Sequence, residues 1–269
     1  MLKKRVLTAL TLAPLIILAV LFMPSALFTL LIALLVLAGA KEWSAMMGLY
    51  SAKACTLYTL LVALVLLLLQ LPWAPEPGLI HQIAVFWWLL AALLVISYPR
   101  LTVIWGQRWT KGLAGLLVLV PAWSSLVWLH NQPSGRYPLL FLLLLVWGAD
   151  TGAYFVGKHY GHVKLIPSVS PAKSWAGVGG AVVAVLLIAM LSQFLIVWPW
   201  EHPMLVYGVA MITLVGIILG DLLESMYKRH CGMKDSGQLL PGHGGVMDRI
   251  DSITAAAPVF AVCLYMLES

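Results

Sequence analysis

The side chains able to do chemistry are crowded into the second half of this chain. Six of its ten acidic residues, Asp150, Asp221, Glu224, Asp235, Asp248 and Asp251, stand inside or beside long apolar runs. Carboxylates near hydrocarbon are costly, and they persist where they pair with cations, bind metal or line a hydrated cavity. Through Gly220-Asp221-Leu222-Leu223-Glu224-Ser225-Met226-Tyr227-Lys228-Arg229, a helix puts Asp221, Ser225 and Lys228 on one face, with Glu224 beside them. That stripe offers a carboxylate, a hydroxyl and an ammonium, although a salt-bridged helix end has the same composition.

The following segment contains Lys234-Asp235-Ser236-Gly237 and then Pro241-Gly242-His243-Gly244-Gly245-Val246-Met247-Asp248-Arg249-Ile250-Asp251. Glycines on both sides of His243 let backbone N–H groups converge on an anion, as in phosphate-binding nests, although many glycine-rich turns are only turns. Here the turn runs into Asp248 and Asp251, spaced i and i+3 at the start of a helix, so a phosphate cradle and an acidic metal site adjoin. Oxygen ligands beside phosphate suit Mg²⁺, which binds through one or two carboxylates plus substrate phosphates. A third element comes earlier. Asp150-Thr151-Gly152-Ala153-Tyr154 closes one apolar run, and Ser168-Val169-Ser170-Pro171-Ala172-Lys173-Ser174 opens the next. Ser170 and Lys173 at a helix start form a candidate anion site. Plain N-capping by Ser170 or Ser174 accounts for the serines equally well.

The elements that must position these groups are apolar. Hydrophobic residues make up 62% of the 269 positions and charged residues 10%, a composition for lipid rather than water. A bilayer core takes about 20 apolar residues per helix, and nine such runs are expected at 6–23, 25–40, 55–73, 79–98, 113–130, 137–155, 175–197, 204–223 and 252–267. The first meets Pro24 and another apolar run without a small-residue cleavage site, so it reads as a retained span. With the N-terminus in the cytoplasm, every Lys and Arg except Arg136 falls in a cytoplasmic segment, as the positive-inside rule requires. The C-terminus is then periplasmic. The expected fold is an all-α polytopic membrane protein, with a scaffold at 1–136 and a catalytic half at 137–269 whose cytoplasmic loops are 156–174 and 225–251. The formal charge of +6 follows from orientation and lipid head groups, and no basic, aromatic-interleaved face points to nucleic acid. Cys55, Cys231 and Cys263 lack the spacing of a disulfide framework or a zinc site.

The run from Ser225 to Asp251 resembles the signature of the phosphatidate cytidylyltransferase (CDP-diacylglycerol synthase) family. The matching positions are Ser225, Lys228, Arg229, Lys234, Asp235, Gly237, His243, Gly244, Gly245, Asp248, Arg249 and Asp251. The likeness extends back through Asp150-Thr-Gly-Ala-Tyr and Ser170-Pro-x-Lys. It departs at Ala176, where many relatives carry an acidic or amide residue. The resemblance implies transfer of the cytidylyl group of CTP to phosphatidate, giving CDP-diacylglycerol and pyrophosphate, while the cytoplasmic N-terminus and small size suit a bacterial inner membrane with the site on its cytoplasmic side. It further implies that Asp221, Asp248 and Asp251 hold Mg²⁺, alone or with a second ion, and that Asp235 lies close by. Lys228, Arg229, Lys234 and Arg249 would neutralise phosphate charge. Ser225, His243, Gly244 and Gly245 would donate hydrogen bonds, and Ser170 and Lys173 would receive a head group or part of the nucleotide. A homodimer is reasonable on the same likeness.

Two other classes bear comparison. A CTP-dependent kinase of polyprenol-type alcohols also needs a metal, a nucleotide and a membrane cavity, but it transfers the γ-phosphoryl group. A cation-coupled transporter binds near the bilayer midplane at broken, repeated helices, whereas these acids gather at one membrane face and no repeat is evident.

Overall fold

A computed structural model describes residues 2–196, 198, 202–237 and 244–268. Among them the chain forms helices α1 (Leu2–Phe22), α2 (Ser25–Met46), α3 (Ala52–Leu68), α4 (Pro77–Ile96), α5 (Thr102–Trp105), α6 (Arg108–Asn131) and α7 (Arg136–Tyr160). Strands β1 (Lys164–Ile166) and β2 (Ser170–Ser174) follow, then α8 (Trp175–Leu195), α9 (Met204–His230) and α10 (Met247–Glu268). Helices dominate because a helix satisfies all its backbone hydrogen bonds internally, which lipid demands. Seven of them, α2, α4 and α6 to α10, are long and apolar enough to cross a membrane. The apolar helices Leu12–Phe22, within α1, and Ala52–Leu68 are shorter. Large side chains such as Leu57, Phe86, Leu93, Phe194 and Leu195 are exposed, the mark of a polytopic membrane protein whose outer surface meets lipid.

Each of the nine apolar runs expected from the sequence falls on a helix, but their ends differ. The helix α2 continues to Met46, α7 to Tyr160 and α9 to His230, so charged residues assigned to loops ride on helices that project past the apolar spans. The segment 156–174 is not wholly irregular. Its β1 and β2 pair antiparallel, with Lys164 opposite Ser174 and Ile166 opposite Ser170, a correction to an all-α reading. Three- and five-residue strands have too few positions for an alternating pattern to stand out.

Apolar packing draws on both halves of the chain. One cluster joins Trp43 and Met46 of α2 and Leu119 of α6 to Leu223, Met226 and Tyr227 of α9 and Met247 of α10. Another joins Leu142 and Leu145 of α7 to Val185 of α8, Ala210 of α9 and Phe260 of α10. Close helix approach depends on glycine at two crossings. A Cβ on Gly220 would collide with the Asp251 carbonyl oxygen and lie 3.2 Å from the Ser252 Cα, so glycine lets α9 and α10 meet backbone to backbone. That contact sets Asp221, the next residue, against the first turns of α10. Gly152 and Gly180 serve α7 and α8 similarly, because a Cβ on either would strike the other's carbonyl oxygen.

Candidate active site

A cavity of about 640 Å³ opens between α7, α8, α9 and the β1–β2 hairpin. Asp150, Lys173 and Asp221 supply charge within it, while Ala149, Ala153, Val178, Ala181, Ile217 and Ile218 supply apolar wall. Lys158, His159, His162 and Lys164, none of them among the residues expected from the sequence to contact substrate, also line it. Ser170 lines the cavity from the start of β2. The competing serine role goes to Ser174, whose hydroxyl accepts the Gly177 N–H at 3.1 Å and caps α8.

Asp221 is the polar floor of this space. Its Oδ2 lies 2.7 Å from Lys173 Nζ, and its Oδ1 accepts the Ser225 hydroxyl at 3.2 Å, the i, i+4 contact expected of an unbroken helix. The side chains of Lys173 and Asp221 keep 25% and 31% of their surface exposed, and such a pair is worth about 0–1 kcal/mol. An incoming phosphate can therefore take Lys173 from Asp221 at little cost.

Behind the cavity wall lies a drier network. Lys228 Nζ sits 2.6 Å from Glu224 Oε2 and 2.6 Å from Asp248 Oδ1, with 11% of the lysine side chain and 1% of the glutamate exposed. The other Asp248 oxygen accepts the Ser236 N–H at 2.9 Å, the Ser236 hydroxyl at 2.9 Å and the Gly245 N–H at 2.8 Å. Gly244 has φ +80°, a conformation that glycine adopts without strain, and a Cβ there would come 2.6 Å from Asp248 Oδ2. Gly245 and Ser236 together therefore hold a carboxylate of their own chain. Lys228 is committed to two acids, unlike Lys173, and its position is that of a frame for the site.

The remaining expected residues distribute around this network. Asp251 stands on α10, where its backbone meets Gly220 of α9, the residue before Asp221 on that helix. Asp150 lines the same cavity as Lys173 and Asp221. Arg229 reaches the hairpin, its Nε donating to the Val169 carbonyl at 3.4 Å. Lys234 and Asp235 are exposed on the segment after α9. His243 lies outside the described residues.

No three His, Cys, Asp or Glu groups among the described residues converge as a ready metal cage. The donor set nevertheless fits a hydrated divalent ion. Asp221 and Asp150 line the cavity with Lys173, Glu224 and Asp248 share Lys228, and Glu224 Oε1 is buried without a hydrogen-bond donor. Magnesium requires few protein oxygens and keeps its waters, so a preformed cage is unnecessary.

Sequence reasoning missed Glu42. This carboxylate, on α2, accepts the Val246 N–H at 3.0 Å, the Met247 N–H at 2.8 Å and the Ser236 hydroxyl at 3.1 Å. An acid near the end of a long apolar run was the available signal, hidden by ending that run at Ala40.

Comparison with known proteins identifies the family of the chain. Residues 3–267 match the model of the cytidylyltransferase family. The chain is 44% identical to a phosphatidate cytidylyltransferase of Pseudomonas aeruginosa over 266 residues, 98% of this chain and 97% of that protein. It is 42% identical to the phosphatidate cytidylyltransferase of Haemophilus influenzae over 196 residues, 66% of this chain and 65% of the other. The protein of the same name from Bacillus subtilis is 35% identical over 176 residues, 63% of this chain and 64% of its own. A match of this extent, on a chain whose acids and lysines gather at one helix crossing, establishes that the chain belongs to the cytidylyltransferase family.

Proposed function

We propose that this protein transfers the cytidylyl group of CTP to phosphatidate, forming CDP-diacylglycerol and releasing pyrophosphate, for phospholipid synthesis. The observation that carries this reading is the cavity with a Lys173–Asp221 floor, apolar helical walls and further cations at Lys158 and Lys164. Two phosphate-bearing substrates, one held in lipid and one in water, need a space of that mixed lining. A phosphatidate phosphate oxygen attacks the α-phosphorus of CTP. The new P–O bond forms as the bond from that phosphorus to the bridging oxygen of the β-phosphate breaks, and pyrophosphate leaves on the opposite side. Such a transfer depends on alignment and charge neutralisation more than on covalent help.

In this reading Lys173 and Ser170 receive phosphate oxygens, and Lys158 and Lys164 draw the polyphosphate toward the cavity. Arg229, Lys234 and Arg249 add positive charge around the helix ends, while Lys228 fixes Glu224 and Asp248. Asp221, Asp248 and Asp251 would hold Mg²⁺, whose chemistry is to neutralise the leaving pyrophosphate. The distribution of Lys and Arg supports nine spans, a cytoplasmic N-terminus, a periplasmic C-terminus and a site at the cytoplasmic face of a bacterial inner membrane.

Acceptor choice tests the proposal. Detergent-purified protein supplied with CTP and Mg²⁺ is expected to convert phosphatidate to a cytidine-bearing lipid and to leave diacylglycerol and polyprenol unchanged. Chelation with EDTA is expected to stop the reaction, and added Mg²⁺ to restore it. Conversion of either alcohol, with phosphatidate untouched, would overturn the assignment.

A further inference from the structure

Glu42 belongs to the half of the chain that otherwise reads as scaffold. Its residue is 9% exposed, and a buried carboxylate is costly unless hydrogen bonds satisfy it. The satisfaction comes from far away in sequence. Val246 N–H and Met247 N–H, which open α10 and have no partner within a helix start, reach Oε1 and Oε2 at 3.0 and 2.8 Å. Glu42 is thus a cap for α10 supplied by α2, with its charge at the positive end of that helix.

The fit around it is close. A Cβ on Gly245 would collide with both the Ser236 hydroxyl and Glu42 Oε2, and a Cβ on Gly237 would collide with Glu42 Oε1. Ser236 joins Glu42 to Asp248, its hydroxyl lying 3.1 Å from Glu42 Oε2 and 2.9 Å from Asp248 Oδ2. One hydroxyl proton therefore stands between two carboxylates. The Asp248 N–H points back to the same Ser236 oxygen at 3.3 Å.

We infer that Glu42 is a positioning residue for cytidylyl transfer. It holds the turn 244–247, and through that turn and Ser236 it fixes Asp248 relative to Lys228. The inference rests on the proposed role of Asp248. Both Glu42 oxygens accept hydrogen bonds, so glutamine is no substitute: its amide nitrogen would face a donor.

The test is steady-state kinetics of Glu42→Gln, Glu42→Ala and Ser236→Ala in detergent, with the thermal midpoint and folded fraction measured on each sample. Glu42→Gln is expected to lower kcat per folded molecule by about 100-fold, the scale of a 1 Å misplacement. KM for CTP and for phosphatidate should stay near parental values. Ser236→Ala, which removes only the bridging hydroxyl, is expected to lower kcat less and in the same direction. If neither Glu42 variant folds, Ser236→Ala decides alone. Parental kcat per folded molecule, or a loss that only follows the folded fraction across the variants, would overturn the positioning role. A fully active Asp248→Asn chain would instead overturn the site reading on which it rests.

Discussion

An Asp221→Asn chain is expected to insert and fold as the parent does and to lose cytidylyl transfer by about 10³-fold, because a catalytic metal contributes several kcal/mol and each 1.4 kcal/mol is about a tenfold change in rate. Fold and turnover separate at this position because the Lys173–Asp221 pair is partly exposed and contributes about 1 kcal/mol or less to stability. Asn keeps the size of the side chain and an acceptor for Ser225, but it removes the negative charge at the cavity floor. The measurement is kcat in detergent beside the thermal midpoint of the same preparation. Parental turnover in the Asn variant would show that Asp221 neither holds metal nor sets the charge of the site.

The largest effect on stability is expected at Lys228. Replacing it with Met leaves Glu224 and Asp248 without the ammonium that sits 2.6 Å from each. Removing one partner from a buried ion pair costs about 3–5 kcal/mol. For a chain of this size that corresponds to a fall of roughly 10 °C in the apparent midpoint. Turnover should fall with it, since Asp248 loses an anchor. Adding Glu224→Gln to Lys228→Met is expected to recover part of the loss, because the two sites share one interaction and their effects do not add. Thermal unfolding of the three variants checks this. An unchanged midpoint in Lys228→Met would mean that Lys228 does not balance the buried acids.

The contrast between Lys173 and Lys228 marks how far the sequence could be read. Glu224 and Lys228, at i and i+4 with the acid N-terminal, announce a helical pair. The stripe Asp221-Ser225-Lys228 was legible for the same reason, since helical geometry relates near neighbours. Nothing in that periodicity tells which distant group completes Lys228, and the answer, Asp248, lies 20 residues on. The partner of Lys173 was equally hidden, because its contact with Asp221 is made across the hairpin and α9. The apolar runs were legible because lipid imposes one long, uniform rule on each span. Their ends were not, because helices α2, α7 and α9 continue into polar sequence where lipid no longer dictates composition. Glu42 was lost at one such end. Its partners are 194 to 205 residues away, a separation that no local pattern encodes. Asp248 shows the opposite case: the glycines before it were visible, but not that the Gly245 N–H would donate to the chain's own Asp248 carboxylate.

Label position distinguishes cytidylyl from phosphoryl transfer to a lipid phosphate. The purified protein is incubated with phosphatidate, Mg²⁺ and CTP labelled at either the α- or the γ-phosphorus. Cytidylyl transfer puts the α label in the lipid product and releases the γ label as pyrophosphate. Label from the γ position in the lipid, with CDP released, would contradict it and make the protein a kinase.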